Sequence, residues 1–384
     1  MDVRQCPVAY MEIVNRKVLF GGQYQDKRVL VTGHTGFKGS WLSVWLLELG
    51  ATVCGLSIDV PTTPSHFDAL NLSKFMTDLR GDIRNFQEIQ AAIQKESPDI
   101  VFHLAAQPIV QRGYTDPRLT FETNMAGTLN VLEACRLSAS VQSLVIVTSD
   151  KAYRNMEWEW GYRESDSLGG DDPYSASKGA AELVCRSYSE SFLNEMPRMA
   201  TARAGNVIGG GDWSLARIIP DCVRAWADGQ TVTIRSPRST RPWQHVLEPL
   251  SGYLCLGAEL LQSERYSGES FNFGPDAKVI QSVSELLHTF SNYWENALWK
   301  IDTSESSQTK EHKLLKLCCD KALVELGWHA ALDFNDTIQL TAEWYKGFYG
   351  MAESATMDLT IAQISEYVTK AAKMELSWVN TSHD

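Results

Sequence analysis

The chain has 384 residues, 44% hydrophobic and 21% charged, with a net charge of −12, so it is long enough for one large or two modest globular domains. That acidic balance disfavours non-specific nucleic-acid binding and leaves room only for a local basic pocket. No apolar run approaches the ~20 residues of a membrane span, and no basic segment followed by a long apolar one opens the sequence, which predicts no secretory signal.

Residues 1–26 lack strong periodicity and read as a short N-terminal arm, with Met11 an alternative start. Val29–Val31 then form a short apolar run that breaks into three glycines spaced G-x-x-G-x-x-G: Gly33, Gly36 and Gly39. Leu42, Trp45, Leu46 and Leu49 follow at helical spacing. Strand, glycine turn and helix together offer backbone N–H groups and a helix N-terminus to a pyrophosphate. The plain alternative is a tight turn with no ligand. A second strand, Thr52–Leu56, leads to Asp59, 20 residues after Gly39. An acid there either accepts from an adenosine ribose and repels a 2′-phosphate, favouring NAD over NADP, or is a solvated loop residue before Pro61. Asp82, in GDIR after the third strand, is a candidate for the adenine amino group.

The run Ile100–Leu104 ends in His103–Gln107, HLAAQ, whose small residues let a flat cofactor approach the backbone at a strand's C-terminal end. His103 itself reads as structural. Leu144–Val147 ends in Thr148, Ser149, Asp150 and Lys151: hydroxyls, a carboxylate and an amine where a buried strand opens. Tyr174 and Lys178 then begin a helix that runs to about Phe192. At i and i+4 they share one face, and an ammonium there is expected to lower the phenol's pKa. Ala200–Ala204 is the next strand. This βαβα alternation predicts an α/β, doubly wound parallel sheet of Rossmann type over 27–205. After Gly205 the glycine-rich GNVIGGGDW, then Thr231–Ile234 and Ser270–Phe273 among helices, read as a smaller α+β lobe over 206–350, interleaved with the sheet. Residues 351–384 read as a C-terminal helix (Leu359–Lys373) and tail. The eight cysteines (Cys6, Cys54, Cys135, Cys185, Cys222, Cys255, Cys318, Cys319) are scattered without C-x-x-C. They suggest no disulfide framework and no metal site, with Cys54, Cys135 and Cys185 as buried small hydrophobes, in a reducing cytoplasm.

The glycine turn, HLAAQ, Ser149, Tyr174 and Lys178 together resemble, in order and spacing, the extended short-chain dehydrogenase/reductase family, over about residues 27–350. GHTGFKGSWL, TSDKAY, WGYRES, GGDDPYSASK, RAGNVIGGGDW and RPWQHVLEPLSGYL narrow the resemblance to its nucleotide-sugar 4,6-dehydratases. Where the dTDP-glucose enzymes carry Thr-Asp-Glu, this chain has Ser149-Asp150-Lys151. The resemblance implies NAD and a CDP-glucose substrate. Catalysis falls to Tyr174 with Lys178 and Ser149 at C4, Asp150 as acid for the C6 hydroxyl, and Lys151 either as C5 base or as an electrostatic group. It implies cofactor contacts at Gly33, Gly36, Phe37, Gly39, Asp59, Asp82, Ile83, Leu104, Ala105, Ala106, Gln107, Asn124, Thr148, Tyr174 and Lys178. Substrate contacts fall on Gln107, Ser149, Asn206, Arg217, Arg241, Gln244, His245 and Glu311. It also implies a homodimer or homotetramer, with the helices Leu119–Leu137 and Tyr174–Phe192 meeting their copies. The segment Thr309–Asp320, TKEHKLLKLCCD, departs from the family's PHEAxYLKLD and leaves nucleotide and sugar preference open. The competing readings are another family activity, such as epimerisation, and a cofactor-binding sensor without turnover.

Overall fold

Strand residues alternate between two cores, as the two-residue side-chain period requires. In β1 (Arg28–Thr32) Val29 and Val31 pack on one face and Leu30 on the other; in β4 (Ile100–His103) Ile100 and Phe102 oppose Val101. With β2 (Thr52–Ser57), β3 (Thr77–Arg80), β5 (Ser143–Val147) and β6 (Arg198–Ala204) they build a parallel sheet. A seventh strand, Ser270–Phe273, closes it, in the order Ser270–Phe273, β6, β5, β4, β1, β2, β3. The computed structural model describes residues 16–192, 194–234, 236–295, 297–302, 314–350 and 355–379. Glu311 and most of the expected arm lie outside them.

The sheet is thus wider than 27–205. Phe271 and Phe273 are fully buried, so pairing Ser270–Phe273 to β6 hides two aromatic rings and covers a strand edge. The arm also differs from expectation, because Leu19, Phe20 and Tyr24 are buried in the larger core. The Phe20 N–H donates to the Trp378 carbonyl at 2.8 Å, and the two rings stack 4.9 Å apart.

Helices α1 (Phe37–Glu48), α2 (His66–Ala69), α3 (Phe86–Glu96), α4 (Val110–Thr115), α5 (Pro117–Phe121), α6 (Gly127–Arg136) and α7 (Pro173–Ser191) connect the strands. The helix α1 and Leu247–Gln262 cover one face of the sheet; α3, α6 and α7 cover the other. The amphipathic α1 of the sequence reading is buried nearly all round, Ser40 and Ser43 included, because Thr356–Lys373 packs across its outer side. The single helix expected over Leu119–Leu137 is interrupted by a π-turn, Glu122–Ala126. The extra residue widens the turn and lets buried Asn124 point inward. Its amide donates to the Gln107 carbonyl at 3.1 Å and to Ser177 Oγ at 2.9 Å. Cys54, Cys135 and Cys185 are buried and free, as their apolar surroundings predicted. Among the described residues, no helix is long and apolar enough to cross a membrane.

Candidate active site

Gly33 has φ +78°, and a Cβ there would lie 2.8 Å from the Ala105 nitrogen; at Gly39 it would lie 2.1 Å from the Gly33 carbonyl oxygen. Both glycines are therefore demanded by the close approach of turn, helix and β4 end. Gly36, the N-cap of α1, gives no side-chain hydrogen bond. The first N–H groups of this 12-residue helix thus lack a side-chain cap, as a phosphate cradle requires. Half-buried Ala105 and Ala106 follow β4, and the Ala105 N–H donates to Thr32 Oγ1 at 3.2 Å. Asp59 is exposed just beyond β2, its carbonyl accepting from Thr35 Oγ1 at 2.6 Å. Asp82 accepts the Arg84 N–H at 2.9 Å and the Arg84 guanidinium at 2.8 Å. Burial raises its pKa, but these bonds outweigh it and hold the carboxyl below its usual range.

His103 is structural, as its setting predicted. Thr128 Oγ1 gives its proton to the Asn124 carbonyl at 2.7 Å, so it accepts from His103 Nε2 at 3.0 Å, and Nδ1 takes the Thr32 hydroxyl proton at 2.7 Å. Burial pushes the imidazole down to about 3.

The catalytic candidates gather where β5 ends and α7 begins. Asp172 caps α7, accepting from the Tyr174 and Ser175 N–H groups at 2.9 and 3.0 Å, with Pro173 at the first helical position. This Asp-Pro start fixes Tyr174 in the first turn and Lys178 one turn later. Ser149 Oγ donates to Asp150 Oδ1 at 2.9 Å and accepts from the Lys151 N–H at 3.2 Å. Asp150 is buried, and a Cβ on Gly205 would lie 3.2 Å from its Oδ2. Burial pushes this carboxyl above the usual range against the pull of Lys151, Ser149 and Lys38. Lys151 is half-buried on the same turn.

Tyr174 departs from expectation. Burial dominates and raises the phenol to about 12; a hydrogen bond with Ser149 and the charge of Arg217 oppose it without prevailing. Lys178 is pushed down to about 8 by burial, with Glu182 pulling the other way. Arg217 precedes the helix Ile218–Ala227 and pairs with Asp212 at 2.8 Å.

Other candidates are placed elsewhere. The Gln107 side chain is used within the fold, donating to Thr120 Oγ1 at 2.9 Å and accepting from the Ile109 N–H at 2.6 Å. Ile83 is buried against Gly127 in the second core. Thr148 Oγ1 donates to Glu182. His245 has no exposed surface, its ring edge-on to Trp41 at 6.0 Å, so the structure does not bring it to the site. Gln244 is buried with Nε2 on the Phe273 carbonyl at 3.2 Å. Half-buried Asn206 accepts the Gln244 N–H at 3.3 Å through its carbonyl. Half-buried Arg241 lies on the short strand Thr240–Arg241. Half-buried Phe37 opens α1 near Gly209.

Two groups absent from the sequence reading stand at the site. Glu182, one turn beyond Lys178, forms a buried pair with Arg203, Nε–Oε1 2.8 Å; its i+4 spacing was the available signal. Lys38, inside the glycine turn, faces Asp150, Lys178 and Arg217. A lysine in a helix's first turn was its signal.

Residues 30–341 match the family model described as GDP-mannose 4,6 dehydratase. The chain is 45% identical to the CDP-glucose 4,6-dehydratase of Salmonella typhimurium, over 85% of this chain and 92% of that one. Among solved structures it is similar to Pal from Bacillus thuringiensis (TM-score 0.71, 25% identity, 83% of this chain and 99% of the other). It also shares its fold with the dTDP-glucose 4,6-dehydratase DesIV of Streptomyces venezuelae, solved with NAD and TYD bound (TM-score 0.70, 24% identity, 84% and 99%).

Proposed function

Because the chain belongs to the GDP-mannose 4,6-dehydratase family, we propose that it removes water from CDP-glucose, with NAD as cofactor, to give CDP-4-keto-6-deoxyglucose. The observation that carries this reading is Asp150: a buried carboxyl, held above the ordinary carboxylate range, beside a Tyr174–Lys178 pair. Such a group is suited to keeping a proton for a departing hydroxyl. Epimerisation needs no acid there.

The residues present fit NAD. The turn Gly33, Gly36, Phe37 and Gly39, with its uncapped helix start, would hold the pyrophosphate, and Asp59 and Asp82 the adenosine. Leu104–Gln107, Asn124 and Thr148 line or support the approach, and Tyr174 and Lys178 stand at the reacting end. When bound, NAD supplies a hydride acceptor at C4 and returns the hydride at C6. Tyr174 removes the C4 hydroxyl proton as the phenolate, the form that Ser149 and the positive charge of Arg217 favour against burial and that is reached once the phenol has given up its own proton. Lys151 takes the C5 proton, which the C4 ketone makes acidic. Asp150 gives its proton to the C6 hydroxyl, the C6–O bond breaks and water leaves. Arg217 and Arg241 meet phosphate and ribose, for which a planar guanidinium fork is suited.

The test is incubation of the purified protein with the CDP-, dTDP-, UDP- and GDP-glucoses. CDP-glucose is expected to give the fastest loss of one water by mass spectrometry. A product of unchanged mass, epimerised at C4, overturns the dehydratase reading.

The same reading extends to assembly in a reducing cytoplasm as a homodimer or homotetramer. Leu129, Leu137 and Leu183, exposed on or beside α6 and α7, suit pairing with a second copy. A single monomer mass by light scattering at micromolar concentration overturns it.

A further inference from the structure

Lys38 is the second residue of α1, and the N-cap Gly36 supplies no side-chain acceptor. A helix N-terminus carries the positive end of the macrodipole, so a cation in the first turn is electrostatically misplaced unless something negative receives it. Its ammonium leaves the helix start and donates to the Tyr253 hydroxyl at 3.2 Å, 5.6 Å from that ring's centroid. Tyr253 is fully buried on the helix Leu247–Gln262. Both groups face the same carboxylate: Asp150 attracts the amine, and its charge raises the phenol. Burial pushes the Lys38 amine down to about 7, helped by Arg217 and Lys178 and opposed by Asp150.

We propose that Lys38, held by the Tyr253 hydroxyl, is a positioning residue that sets the proton affinity of Asp150 during loss of the C6 hydroxyl. The proposal rests on the dehydratase reading. When Asp150 protonates the departing oxygen, the C6–O bond breaks and a carboxylate is left in a buried place. That carboxylate then faces Ser149 and Lys151 on its own turn, Lys38 on α1, Tyr174 on α7 and Tyr253 on the helix behind. Lys178 and Arg217 bear on Lys38, and Arg217 on Tyr174. Lys151 and Lys38 are cations whose charge opposes the burial of that carboxylate. An amine that titrates near neutrality can hold its proton while Asp150 is charged and release it when Asp150 is protonated, so the two groups titrate as a pair.

The test compares the pH profile of keto-sugar formation in wild type, Lys38→Met and Lys38→Arg. Without the cation Asp150 holds its proton more tightly. The basic limb of Lys38→Met is then expected to move alkaline by about one pH unit, as for loss of a neighbouring opposite charge. Lys38→Arg, whose guanidinium cannot release its proton, keeps the limb at or below the wild-type pH. A limb unmoved in Lys38→Met, or one left in place while NAD affinity is lost, overturns the proposal; the second outcome makes Lys38 a phosphate ligand. A separate readout needs no turnover: acylation of Lys38 against pH, followed by peptide mass spectrometry, in protein without sugar nucleotide. The labelling midpoint is expected near 7 and lower in Asp150→Asn, where the charge facing the amine is gone. An equal midpoint in the two proteins breaks the pairing. If wild type dehydrates no nucleotide glucose, the functional reading falls, while the labelling midpoints still decide whether Lys38 and Asp150 are coupled.

Discussion

On the β1–β4 side of the sheet's C-terminal edge, buried polarity is mostly uncharged and paired off. Thr32, His103 and Thr128 form one chain of hydrogen bonds. His34 joins Ser57 and half-buried Asp78, each at 2.9 Å. On the β5–β6 side, charge itself is buried: Asp150, Lys178, Glu182 and Arg203 are all sequestered from solvent. Only Glu182 and Arg203 among these form a direct ion pair, with Thr201 Oγ1 at 2.8 Å and Tyr153 at 2.7 Å completing it. The first side fixes the shape of a turn that a phosphate approaches. The second holds groups whose proton affinities are displaced by burial, the setting in which acid–base chemistry is run.

The comparison is broken hardest at Tyr174. Tyr174→Phe removes the first base, so neither reduced cofactor absorbance nor keto sugar should appear; product at the wild-type rate would remove Tyr174 from its role. Asp150→Asn keeps C4 oxidation but loses the acid. Enzyme-bound NADH should accumulate while elimination slows by ~10²–10⁴-fold, and a variant with unslowed elimination returns the protein to another activity of the family. Glu182→Ala leaves Arg203 buried and unpaired, an expected loss of about 3–5 kcal/mol in urea unfolding. Replacing both partners by apolar residues should recover much of that loss, and failure to do so would give the pair a role besides compensation.

The smallest effect belongs to the other side. In the native protein burial pushes His103 down to about 3 and lowers His34 as well; in the unfolded chain both take protons at ~6.5. Their stabilisation is therefore whole above about 6.5 and drains as pH falls toward the native values, by up to about 1.4 kcal/mol per pH unit for each. Glu248, raised to about 7 by burial, acts in the opposite sense: its contribution is present below ~4.3 and lost as pH rises toward 7. Urea midpoints between pH 7.5 and 5 should fall with pH, and fall more steeply in Glu248→Gln. A flat profile would mean that these imidazoles are charged in the native state.

The backbone of the β1–β4 side was readable, because glycine spacing, strand alternation and the small residues of HLAAQ are local consequences of backbone geometry. The positions of Ser149, Asp150, Tyr174 and Lys178 were readable for the same reason: one strand end and one capped helix start place them. Their proton affinities were not. The expected lowering of Tyr174 by Lys178 treated two charges in isolation, whereas burial by elements far along the chain decides the outcome. Lys38 went unremarked because its partners come from a strand end and from a helix more than two hundred residues later. His245 was misplaced for the converse reason: a polar string on paper, RPWQH, turns its histidine into the core. Likewise Ser270–Phe273 read as part of the smaller, interleaved lobe, since sequence cannot say which sheet edge an apolar strand will join.

The contact between Phe20 and Trp378 orders events during synthesis. A ribosome releases the chain from its N-terminus onward, so β1–β6 and their helices can collapse while Trp378 is still unmade. Until it emerges, the Phe20 N–H lacks its carbonyl, and Phe20, Trp45 and Tyr367 lack the indole that all three contact. A nascent chain at that stage shows aromatic surface beside an otherwise closed core. That surface is open to chaperones and to neighbouring chains until the Trp378 indole covers it.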